Sequence, residues 1–593
     1  MLADLFLQSK SSNPPLRIGI LLDGFELSRA FEAVVDHVQS SNFAKIELLI
    51  VNQSAVHPPV RARSSRLITL LRMLRDPKRR QLIGYTLYQE FDARFFPLDD
   101  DPLEIVDCSQ ELANVDTLFV TPITKGFVHR IQPEDIAKIK AYNLDVILRF
   151  GFNILKGDIL QSSVYGIWSY HHGDNDYYRG GPPHFWELVE RRPESGVILQ
   201  VLTEELDAGQ VLTKVIYPTQ KGVSLRRNRY TPYWASTTLV IQKLYELHSF
   251  GWEHLKRRAV PPQPYLGRRK IYRTPTNAEI GRWFLAESVQ VLKRRLRSFF
   301  QHDPRWQWRL AIRQMEEPIA LADPLAMDGS FLWQTPPAGH FHADPFLFKR
   351  DGRVWLFYED YVYTKDRAVI CCREILSDCS LGVGCTVLER PYHLSYPFVF
   401  EHEGEVYMIP ESLANKTVEL YRSTAFPYKW ELIKTLLPFR AVDSTLLIRS
   451  DGFWLFTTIC SLRGEGRCLC LFHSDSLMGE WQPHPLNPIS TDSHVCRAAG
   501  RFVERNNKTY RLSQDCAITY GASFSFHEVL ELSRSEYREK LVATFLPSGN
   551  YFGTHAYDSC GSVEVIDGVT WAPASALYVR AEYPPAYGSS NVP

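Results

Sequence analysis

The chain has 593 residues, which is too many for one hydrophobic core, because cores stop growing at about 250 to 300 residues. Apolar residues make up 45% and charged residues 23%, which excludes the disordered and fibrous classes. Basic and acidic residues balance at 67 each, so we expect no nucleic-acid partner. Two large domains are therefore predicted.

The start of the chain lacks a basic segment followed by a long apolar stretch, so it predicts no signal peptide. Apolar runs stay shorter than the roughly 18 to 20 residues that a membrane helix needs. We therefore expect a cytoplasmic protein, peripheral at most on the inner membrane surface. Its 11 cysteines follow neither a disulfide nor a zinc pattern and predict buried free thiols.

After a flexible N-terminus at 1–15, the sequence predicts alternating strands and helices. Apolar runs at 16–22, 45–51, 116–120 and 145–152 are separated by helical patterns at 26–39 and from Pro133 onwards. This order is typical of a doubly wound α/β domain, which we assign to 16–270, with a ligand site beyond the carboxyl ends of its strands. The GxGxxG spacing is absent after the first strand, which excludes a nicotinamide site.

Two basic segments stand out, one within the α/β domain and one in the linker that follows it. One, at 61–80, lies in an apparent insertion at 57–100, and the other, at 279–300, lies in a predicted amphipathic helical linker at 271–325. Apolar residues of the linker recur at helical spacing, namely Leu285, Val289, Leu292, Leu296 and Phe299. Both segments are interpreted either as helices docked on a domain or as contacts with an anionic membrane surface.

The segment 166–212 holds the most informative motifs of the chain. It contains His171 seven residues before a Tyr-Arg-Gly sequence, then a Gly-Val pair, and finally Asp207 in an Asp-Ala-Gly sequence. This order resembles the formyltransferase family, which includes the methionyl-tRNA, glycinamide ribonucleotide and sugar-nucleotide formyltransferases. The resemblance covers roughly residues 16–225 and implies the formyltransferase fold.

The family resemblance also implies a reaction, in which an amine attacks the formyl group of N10-formyltetrahydrofolate. A histidine stabilises the oxyanion that develops, and an aspartate positions it and helps to move the proton. The resemblance places His171 and Asp207 in these two roles. Ser169 stands where the family has an asparagine amide, and it is the third candidate catalytic residue.

The loop after the histidine differs from the family's apolar Ser-Leu-Leu-Pro segment. It offers nitrogen and oxygen groups that suit a polyhydroxylated acceptor, and we assign no metal to it. The candidate residues for binding donor or substrate are His172, Asp174, Asn175, Asp176, Tyr178, Arg179 and Gly180. Three interpretations stay open, namely formyl transfer with an altered donor site, another acyl or one-carbon transfer, and a scaffold without chemistry.

From residue 326 the composition changes to short β-rich runs, and a repeat is visible. Copies start near 342, 395, 442, 496 and 555, and their central turns are predicted near Asp351, Gly404, Asp451, Asn507 and Asp567. The turns lie roughly 47 to 60 residues apart, as expected for one four-stranded blade per copy. Residues 326–593 are therefore predicted to form an all-β five-bladed propeller.

Two acidic positions in these copies, Asp344 and Asp443, resemble the aspartates of the arabinanase and xylosidase class of five-bladed glycosidases. Such hydrolases need an acid and a base across the sugar. The fourth copy has Arg497 near the place of the family's acidic glutamate, which leaves Glu411 and Asp515 as candidates. Tyr396, Trp355 and His555 are further candidates for lining a carbohydrate-binding funnel.

The HADP and YPFVFE strings also resemble the propeller module of glucosamine inositolphosphorylceramide transferases. Both halves thus indicate carbohydrate chemistry. We predict formyl or related transfer to an amino sugar that is linked to a nucleotide or a lipid, with N10-formyltetrahydrofolate as donor and the propeller holding the glycan. The alternatives are a carbohydrate-binding scaffold, and a glycosidase or glycosyl-transferring enzyme that uses Asp344 and Asp443.

Overall fold

The computed structural model describes residues 3–55, 76–205, 209–220, 222–300, 305–314, 325–326, 330–460 and 467–572. The chain divides into two compact units, Met1–Leu292 and Lys293–Pro593. Among the described residues, no helix combines the length and apolar character that crossing a membrane requires. All 11 cysteines are free, and all but the half-buried Cys385 and Cys560 are buried, as predicted.

The N-terminal unit is an α/β domain. Its strands are β1 Leu16–Leu22, β2 Glu26–Ser28, β3 Ala44–Asn52, β4 Ile105–Asp107, β5 Asp116–Val120, β6 Ile123–Lys125, β7 Val128–Arg130, β8 Val146–Arg149, β9 Ile154–Leu155, β10 Ile167–His171, β11 Glu194–Val201 and β12 Gln210–Pro218. Its helices are α1 Arg29–Ser40, α2 Pro77–Arg80, α3 Ile83–Phe95, α4 Pro133–Ala141, α5 Phe185–Glu190, α6 Leu225–Phe250, α7 Trp252–Arg257 and α8 Asn277–Phe300. Short 3-10 helices cover Ala3–Phe6 and Asp158–Gln161.

A seven-stranded mixed sheet in the order β12-β11-β10-β8-β1-β3-β5 forms the centre of this unit. The five strands from β10 to β5 are parallel, and β11 and β12 run antiparallel to them. Alternate side chains of β1 enter cores on opposite faces, with Ile20 facing α1 and α6 and Leu21 facing α4. The predicted strands and helices of the doubly wound half are thereby confirmed.

The C-terminal unit is built from antiparallel sheets. Its strands are β13 Arg305–Gln314, β14 Leu325–Ala326, β15 Leu332–Trp333, β16 His340–Arg350, β17 Arg353–Val362, β18 Arg367–Ile375, β19 Cys385–Leu388, β20 Ser395–His402, β21 Glu405–Glu411, β22 Val418–Ala425, β23 Lys429–Leu437, β24 Ala441–Arg449, β25 Gly452–Cys460, β26 Arg467–Ser474, β27 Gln482–Pro483, β28 Arg497–Ala498, β29 Val503–Arg505, β30 Lys508–Asp515, β31 Ser523–Leu532, β32 Tyr537–Leu546, β33 Tyr551–Gly553, β34 Tyr557–Cys560 and β35 Val563–Ala572. A 3-10 helix covers Leu413–Asn415.

These strands form five sheets in the described part of the unit. The first, second and third sheets are β16–β19, β20–β23 and β24–β27, each in chain order. The fourth sheet contains β28–β32 with β14, and the fifth contains β33–β35 with β13 and β15. Because β13 pairs along its whole length with β35, the beginning and the end of the unit meet in one sheet.

Hydrogen bonds connect each sheet to the next, and the fifth sheet to the first. The bonds run from Tyr396 N to Asp344 Oδ2 (3.2 Å), between the Tyr396 and Thr445 hydroxyls (2.8 Å), from Arg497 Nη2 to Asp443 Oδ1 (2.9 Å), from Tyr557 N to Ala499 O (2.8 Å), and from Leu347 N to Asp558 Oδ2 (2.8 Å). The five sheets are therefore linked in a closed order.

Three sequence expectations need correction. Residues at the N-terminus are packed, since Phe6 is buried in the core and Asn13 donates to the His248 carbonyl oxygen. The β region begins within the predicted linker, because Arg305–Gln314 alternates apolar and polar side chains and pairs with β35. Asp567 lies buried inside β35, and the last hairpin turns at Gly561, whose φ of 63° suits glycine.

Candidate functional site

The predicted catalytic histidine lies where an open parallel sheet offers a ligand site. His171 is the last residue of β10, and its Nε2 atom lies 2.8 Å from the Tyr178 carbonyl oxygen. Side chains of a strand alternate between faces, so Ser169 and His171 share one face of the sheet. The carboxyl end of β10 thus presents both residues at the edge where α/β proteins bind ligands.

The Ser169 hydroxyl is occupied by two neighbours. It donates its hydrogen to the Tyr170 carbonyl oxygen at 3.2 Å and accepts a hydrogen bond from Arg149 Nη1 at 3.1 Å. Arg149 ends β8 and is the residue that pairs with Ser169 across the two strands. A guanidinium therefore lies beside the position at which the formyltransferase resemblance places an amide.

The loop that follows holds two of its carboxylates on a lysine. Lys214 Nζ lies 2.8 Å from Asp174 Oδ1 and 2.5 Å from Asp176 Oδ2. The Asn175 side-chain oxygen is buried and has no hydrogen-bond partner among the described residues. Lys214, which was not a predicted site residue, therefore brings Asp174 and Asp176 together.

The Tyr-Arg-Gly residues attach this loop to the segment 265–272. The Tyr178 hydroxyl donates to Glu190 at 3.1 Å, and the Arg179 guanidinium lies 4.5 Å from the centre of the Tyr265 ring. Gly180 has a φ of 91°, and a Cβ atom there would collide with the Tyr272 carbonyl oxygen. The predicted aspartate, Asp207, lies outside the described residues.

His172, His184 and Glu187 form a buried polar group near His171, and of these three only His172 was a predicted site residue. His172 stacks on Tyr233 with ring centres 3.8 Å apart, and His184 Nδ1 lies 3.8 Å from Glu187 Oε1. The four imidazole nitrogens and Glu187 Oε1 have no hydrogen-bond partner among the described residues. Burial lowers the pKa of His172 to about 3 and raises that of Glu187 to about 8, so all three groups are uncharged near pH 7.

The sequence signal for this buried polar group was an ionisable residue, Glu187, within an apolar helix. Glu187 stands between Trp186 and Leu188 in α5, and all three side chains are buried. A carboxyl group in such surroundings ionises with difficulty, because the charged form loses its hydration. The predicted site residues include neither His184 nor Glu187, and the burial of these polar side chains draws attention to them.

In the C-terminal unit, the first strands of three sheets share a backbone irregularity. Asp344, Tyr396 and Asp443 occupy the same repeat position and have φ values of 51°, 46° and 52°. The strand pairing shifts at each of them, as in a β-bulge. Such left-handed residues cost about 1 to 3 kcal/mol each, and they bring the three side chains to the contacts between sheets.

The predicted residues Asp443, Arg497 and Glu411 lie together. The Arg497 guanidinium lies 2.5 Å and 2.9 Å from the two Asp443 oxygens and 3.8 Å from Glu411 Oε2. Gln514 donates a further hydrogen bond to Asp443 at 3.1 Å. Arg497, at the place expected for an acid, thus neutralises an aspartate instead of supplying a proton.

Asp344 belongs to a second group with His555 and Asp567. His555 lies 2.5 Å from Asp567 Oδ2 and 3.7 Å from Asp344 Oδ1, and its ring stacks on Trp308 with centres 4.0 Å apart. Ligand atoms of Asp344, His555 and Asp567 all lie within 4.8 Å of one another, so this trio is the metal-capable group in the described part of the chain. Asp567 was missed because its Asp-Gly sequence was interpreted as a turn.

We call the residues Asp344, Glu359, Glu411, Asp443, Arg497, His555 and Asp567 the central cluster. Burial raises the pKa of Asp344 to about 6, although His555 opposes the shift. Burial, and then repulsion from neighbouring carboxylates, raise the pKa of Glu359 and Glu411 well above the usual value. Glu359 was not among the predicted site residues; it lies on β17, and its strand partner is Ala343, the residue before Asp344.

Other predicted funnel residues lie elsewhere. Asp515 contacts His494 at 2.9 Å, and Trp355 packs against Phe426 with ring centres 5.9 Å apart. Trp355 pairs with a residue near the hairpin turn, far along the strand from Asp344. Tyr396 is fully buried and serves the contacts between sheets, so it offers no exposed aromatic face to a sugar.

The apolar face predicted for the linker helix, now α8, is not the face that packs on the N-terminal unit. Ile280 and Trp283 are buried against the N-terminal unit's aromatic core, whereas Leu285, Val289 and Leu292 are 67%, 43% and 57% exposed. These three residues form an apolar stripe, which we call the α8 stripe. Of the basic segment 61–80, residues 61–75 lie outside the described residues.

Comparison with known proteins assigns a relationship to each half. A profile of the family "Glucosamine inositolphosphorylceramide transferase 1, N-terminal" matches residues 314–560. The full-length protein of that name from Oryza sativa subsp. japonica is 35% identical over 214 residues, which are 35% of this chain and 29% of the relative. Methionyl-tRNA formyltransferase from Prochlorococcus marinus is 38% identical over 77 residues, which are 13% of this chain and 23% of the relative.

The chain joins a formyltransferase-like domain to a region similar to the N-terminal part of glucosamine inositolphosphorylceramide transferase 1. It spans less than a third of the length of either curated relative. Among solved structures, a glycinamide ribonucleotide transformylase from Symbiobacterium toebii matches 39% of this chain and 87% of its own, with 15% identity and a TM-score of 0.25.

Proposed function

We propose that the N-terminal domain transfers a formyl group, or a related acyl or one-carbon group, to the amine of an amino sugar carried on a nucleotide or a lipid. The proposed donor is N10-formyltetrahydrofolate. The observation that carries this proposal is the position of His171, at the carboxyl end of a parallel strand in a domain with sequence similarity to formyltransferases. The match to a protein named for glucosamine and inositolphosphorylceramide supports a sugar-containing acceptor.

One hydrogen bond orients the His171 ring. The Tyr178 carbonyl oxygen can only accept, so His171 Nε2 donates to it at 2.8 Å. In the proposed reaction, the oriented imidazole accepts the proton that the attacking amine releases. The imidazolium then returns the proton to the donor nitrogen when the bond from that nitrogen to the formyl carbon breaks.

We further propose that the C-terminal unit is a five-bladed propeller that binds the glycan through its central cluster. Five consecutive sheets linked in a closed order support this arrangement. Aspartates, an arginine and a histidine gathered at the contacts between the sheets are the charged groups that would bind the glycan. The propeller would hold the acceptor while the N-terminal domain supplies the chemistry.

The test is direct formation of an N-formyl product. The full chain is incubated with N10-formyltetrahydrofolate and a panel of nucleotide- and lipid-linked amino sugars, and products are identified by mass spectrometry. We expect one acceptor class to gain a formyl group, and His171→Ala to lower the rate by about 100-fold or more. His402→Ala, in the second sheet, serves as the control, and unchanged activity in His171→Ala would contradict the proposal.

A second candidate rests on the central cluster. Asp344 has a pKa near 6 and lies among carboxyl groups with raised pKa values, so the cluster combines proton donors with ionised groups as glycoside hydrolysis requires. Glycosidase or glycosyl-transferring activity would then depend on Asp344, and Asp344→Asn would abolish it. Glycan binding without turnover at either site would indicate a carbohydrate-binding scaffold.

A further inference from the structure

We propose that residues 267–273, which we call the basic strap, bind the phosphate group of the acceptor together with Arg179. The phosphate belongs to a nucleoside diphosphate or to a phosphate-linked lipid. This inference rests on the proposed function, in which the amino sugar is carried on a nucleotide or a lipid. Three observations support it: the charge of the basic strap, its attachment to the loop after His171, and the exposure of its unpaired cations.

The basic strap belongs to a stretch of the chain that holds positive charge alone. Residues 254–278 contain seven lysines and arginines and no aspartate or glutamate. Four of the seven fall within six residues, namely Arg268, Arg269, Lys270 and Arg273. Six residues span at most about 20 Å even when fully extended. Like charges held this close repel one another, and a bound anion relieves the repulsion.

Backbone hydrogen bonds attach the basic strap to the loop that follows His171. Tyr272 N donates to the Arg179 carbonyl oxygen at 2.7 Å. Just before the strap, Leu266 N donates to the Asp176 carbonyl oxygen, also at 2.7 Å. The strap therefore lies alongside this loop, at the edge of the sheet where the carboxyl end of β10 presents the histidine.

Close packing fixes the position of the basic strap. Tyr272 is 2% exposed and packs in an aromatic core of the N-terminal unit. At Gly267, a Cβ atom would collide with the Tyr177 carbonyl oxygen, so the two backbones approach each other closely. The Tyr178 carbonyl oxygen of the same loop accepts a hydrogen bond from His171. The strap thus keeps a fixed position relative to the proposed catalytic residue.

The cations of the basic strap divide into two kinds. Arg269 lies 2.9 Å from Glu279, so its charge is compensated within the fold. The other three are exposed and form no ion pair with a residue that the structure describes, namely Arg268, Lys270 and Arg273. One arginine therefore holds the strap in place, and three cations remain available to a ligand.

Arg179 adds a fourth cation from the loop itself. Its guanidinium lies 4.5 Å from the centre of the Tyr265 ring, and its Nε donates to the Asn175 carbonyl oxygen at 3.3 Å. These contacts orient the guanidinium, and no acidic side chain in the described ranges forms an ion pair with it. It joins the cations of the basic strap to the residues around His171.

Phosphate is the ligand chemistry that this arrangement fits. A guanidinium presents paired N–H groups to two phosphate oxygens, and a lysine adds a compact positive charge. A diphosphate carries more than one negative charge and engages several cations at once, whereas an uncharged sugar gains little from them. The basic strap would anchor the charged end of the acceptor while His171 acts on its amine.

The test measures binding of the full chain to two phosphate sources. Calorimetry with uridine diphosphate probes a soluble nucleotide, and sedimentation with phosphatidylcholine vesicles that contain phosphatidic acid probes a lipid headgroup. We expect the wild type to bind one of them, and Arg268→Gln/Lys270→Gln to weaken that binding by about tenfold or more. The control Arg17→Gln/Lys45→Gln removes the same charges near the amino ends of β1 and β3 and should bind as the wild type does.

Kinetics separate a binding role from a catalytic one. With a phosphate-bearing amino sugar, Arg268→Gln/Lys270→Gln should raise KM by about tenfold and leave kcat nearly unchanged, because phosphate contacts are the same in the ground and transition states. With an amino sugar that lacks phosphate, the variant and the wild type should have the same KM.

The outcomes distinguish this inference from the proposed function. If the wild type binds neither phosphate source, or if the double variant binds as tightly as the wild type, the inference is overturned even when an N-formyl product forms. Binding of RNA, without binding of either phosphate source, would overturn it as well. If the basic strap binds phosphate but no acceptor gains a formyl group, the proposed function fails and the phosphate site stands.

Discussion

The His171 site and the central cluster place charged groups in different surroundings. His171 and Arg149 end two neighbouring strands of the N-terminal sheet, and both donate hydrogen bonds to backbone carbonyl oxygens. In the central cluster, buried carboxylates bond to side chains and backbone groups that connect the sheets. We therefore expect a substitution in the central cluster to lower the stability of the fold more than a substitution of His171 does.

The largest expected effect is a loss of stability in the central cluster. Asp443→Ala removes the carboxylate that pairs with buried Arg497 and leaves an uncompensated charge, so we expect the free energy of unfolding to fall by about 3 to 5 kcal/mol. Chemical unfolding of the full chain measures this. Asp475→Ala removes an aspartate that is 79% exposed and serves as the control. Equal unfolding midpoints for the two variants would show that the cluster does not hold the sheets together.

A smaller effect is expected from Glu187, whose burial raises its pKa from 4.5 to about 8. Between these pH values the unfolded chain loses the Glu187 proton and the folded chain keeps it, so stability falls as the pH rises. Glu187→Gln removes this dependence. The stability of the variant relative to the wild type should therefore increase from pH 5 to pH 8.

Urea unfolding midpoints of both proteins at pH 5, 6.5 and 8 provide the measurement. His172 and His184 have lowered pKa values and destabilise the folded chain as the pH falls below 6.5, but both proteins contain them. A constant difference between variant and wild type at the three pH values would contradict the assignment of Glu187 as a buried neutral acid.

The smallest effect concerns the α8 stripe, where an anionic membrane contact stays a prediction. Lys293, Arg294 and Arg295 follow the stripe in the sequence and match anionic lipid in charge. Replacing Leu285 and Val289 by glutamate should lower binding to phosphatidylserine vesicles by about tenfold in sedimentation assays. Leu432→Glu, at a residue 48% exposed in the second sheet, is the control. Equal vesicle binding by the wild type and the variant with glutamate at 285 and 289 would contradict a membrane contact through the α8 stripe.

Local patterns determined much of the architecture. Apolar runs such as Leu16–Leu22, which is buried at six of its seven residues, and repeated turn sequences such as Asp351–Gly352 predicted the strands, because a continuous apolar run and the positive φ of a turn are properties of neighbouring residues. The order of motifs around His171 likewise predicted a formyltransferase-like domain. These features need no information about contacts between distant segments.

Tertiary structure decided which residues surround each candidate site. Arg149 and Ser169 are 20 residues apart, and only the register of β8 and β10 places the guanidinium on the hydroxyl. Asp567 looked like a turn residue until β35 paired with β13 and buried it beside His555. Sequence fixes the types of residue that are available, whereas strand register and burial determine their partners and therefore their charges, because both depend on segments far apart in the chain.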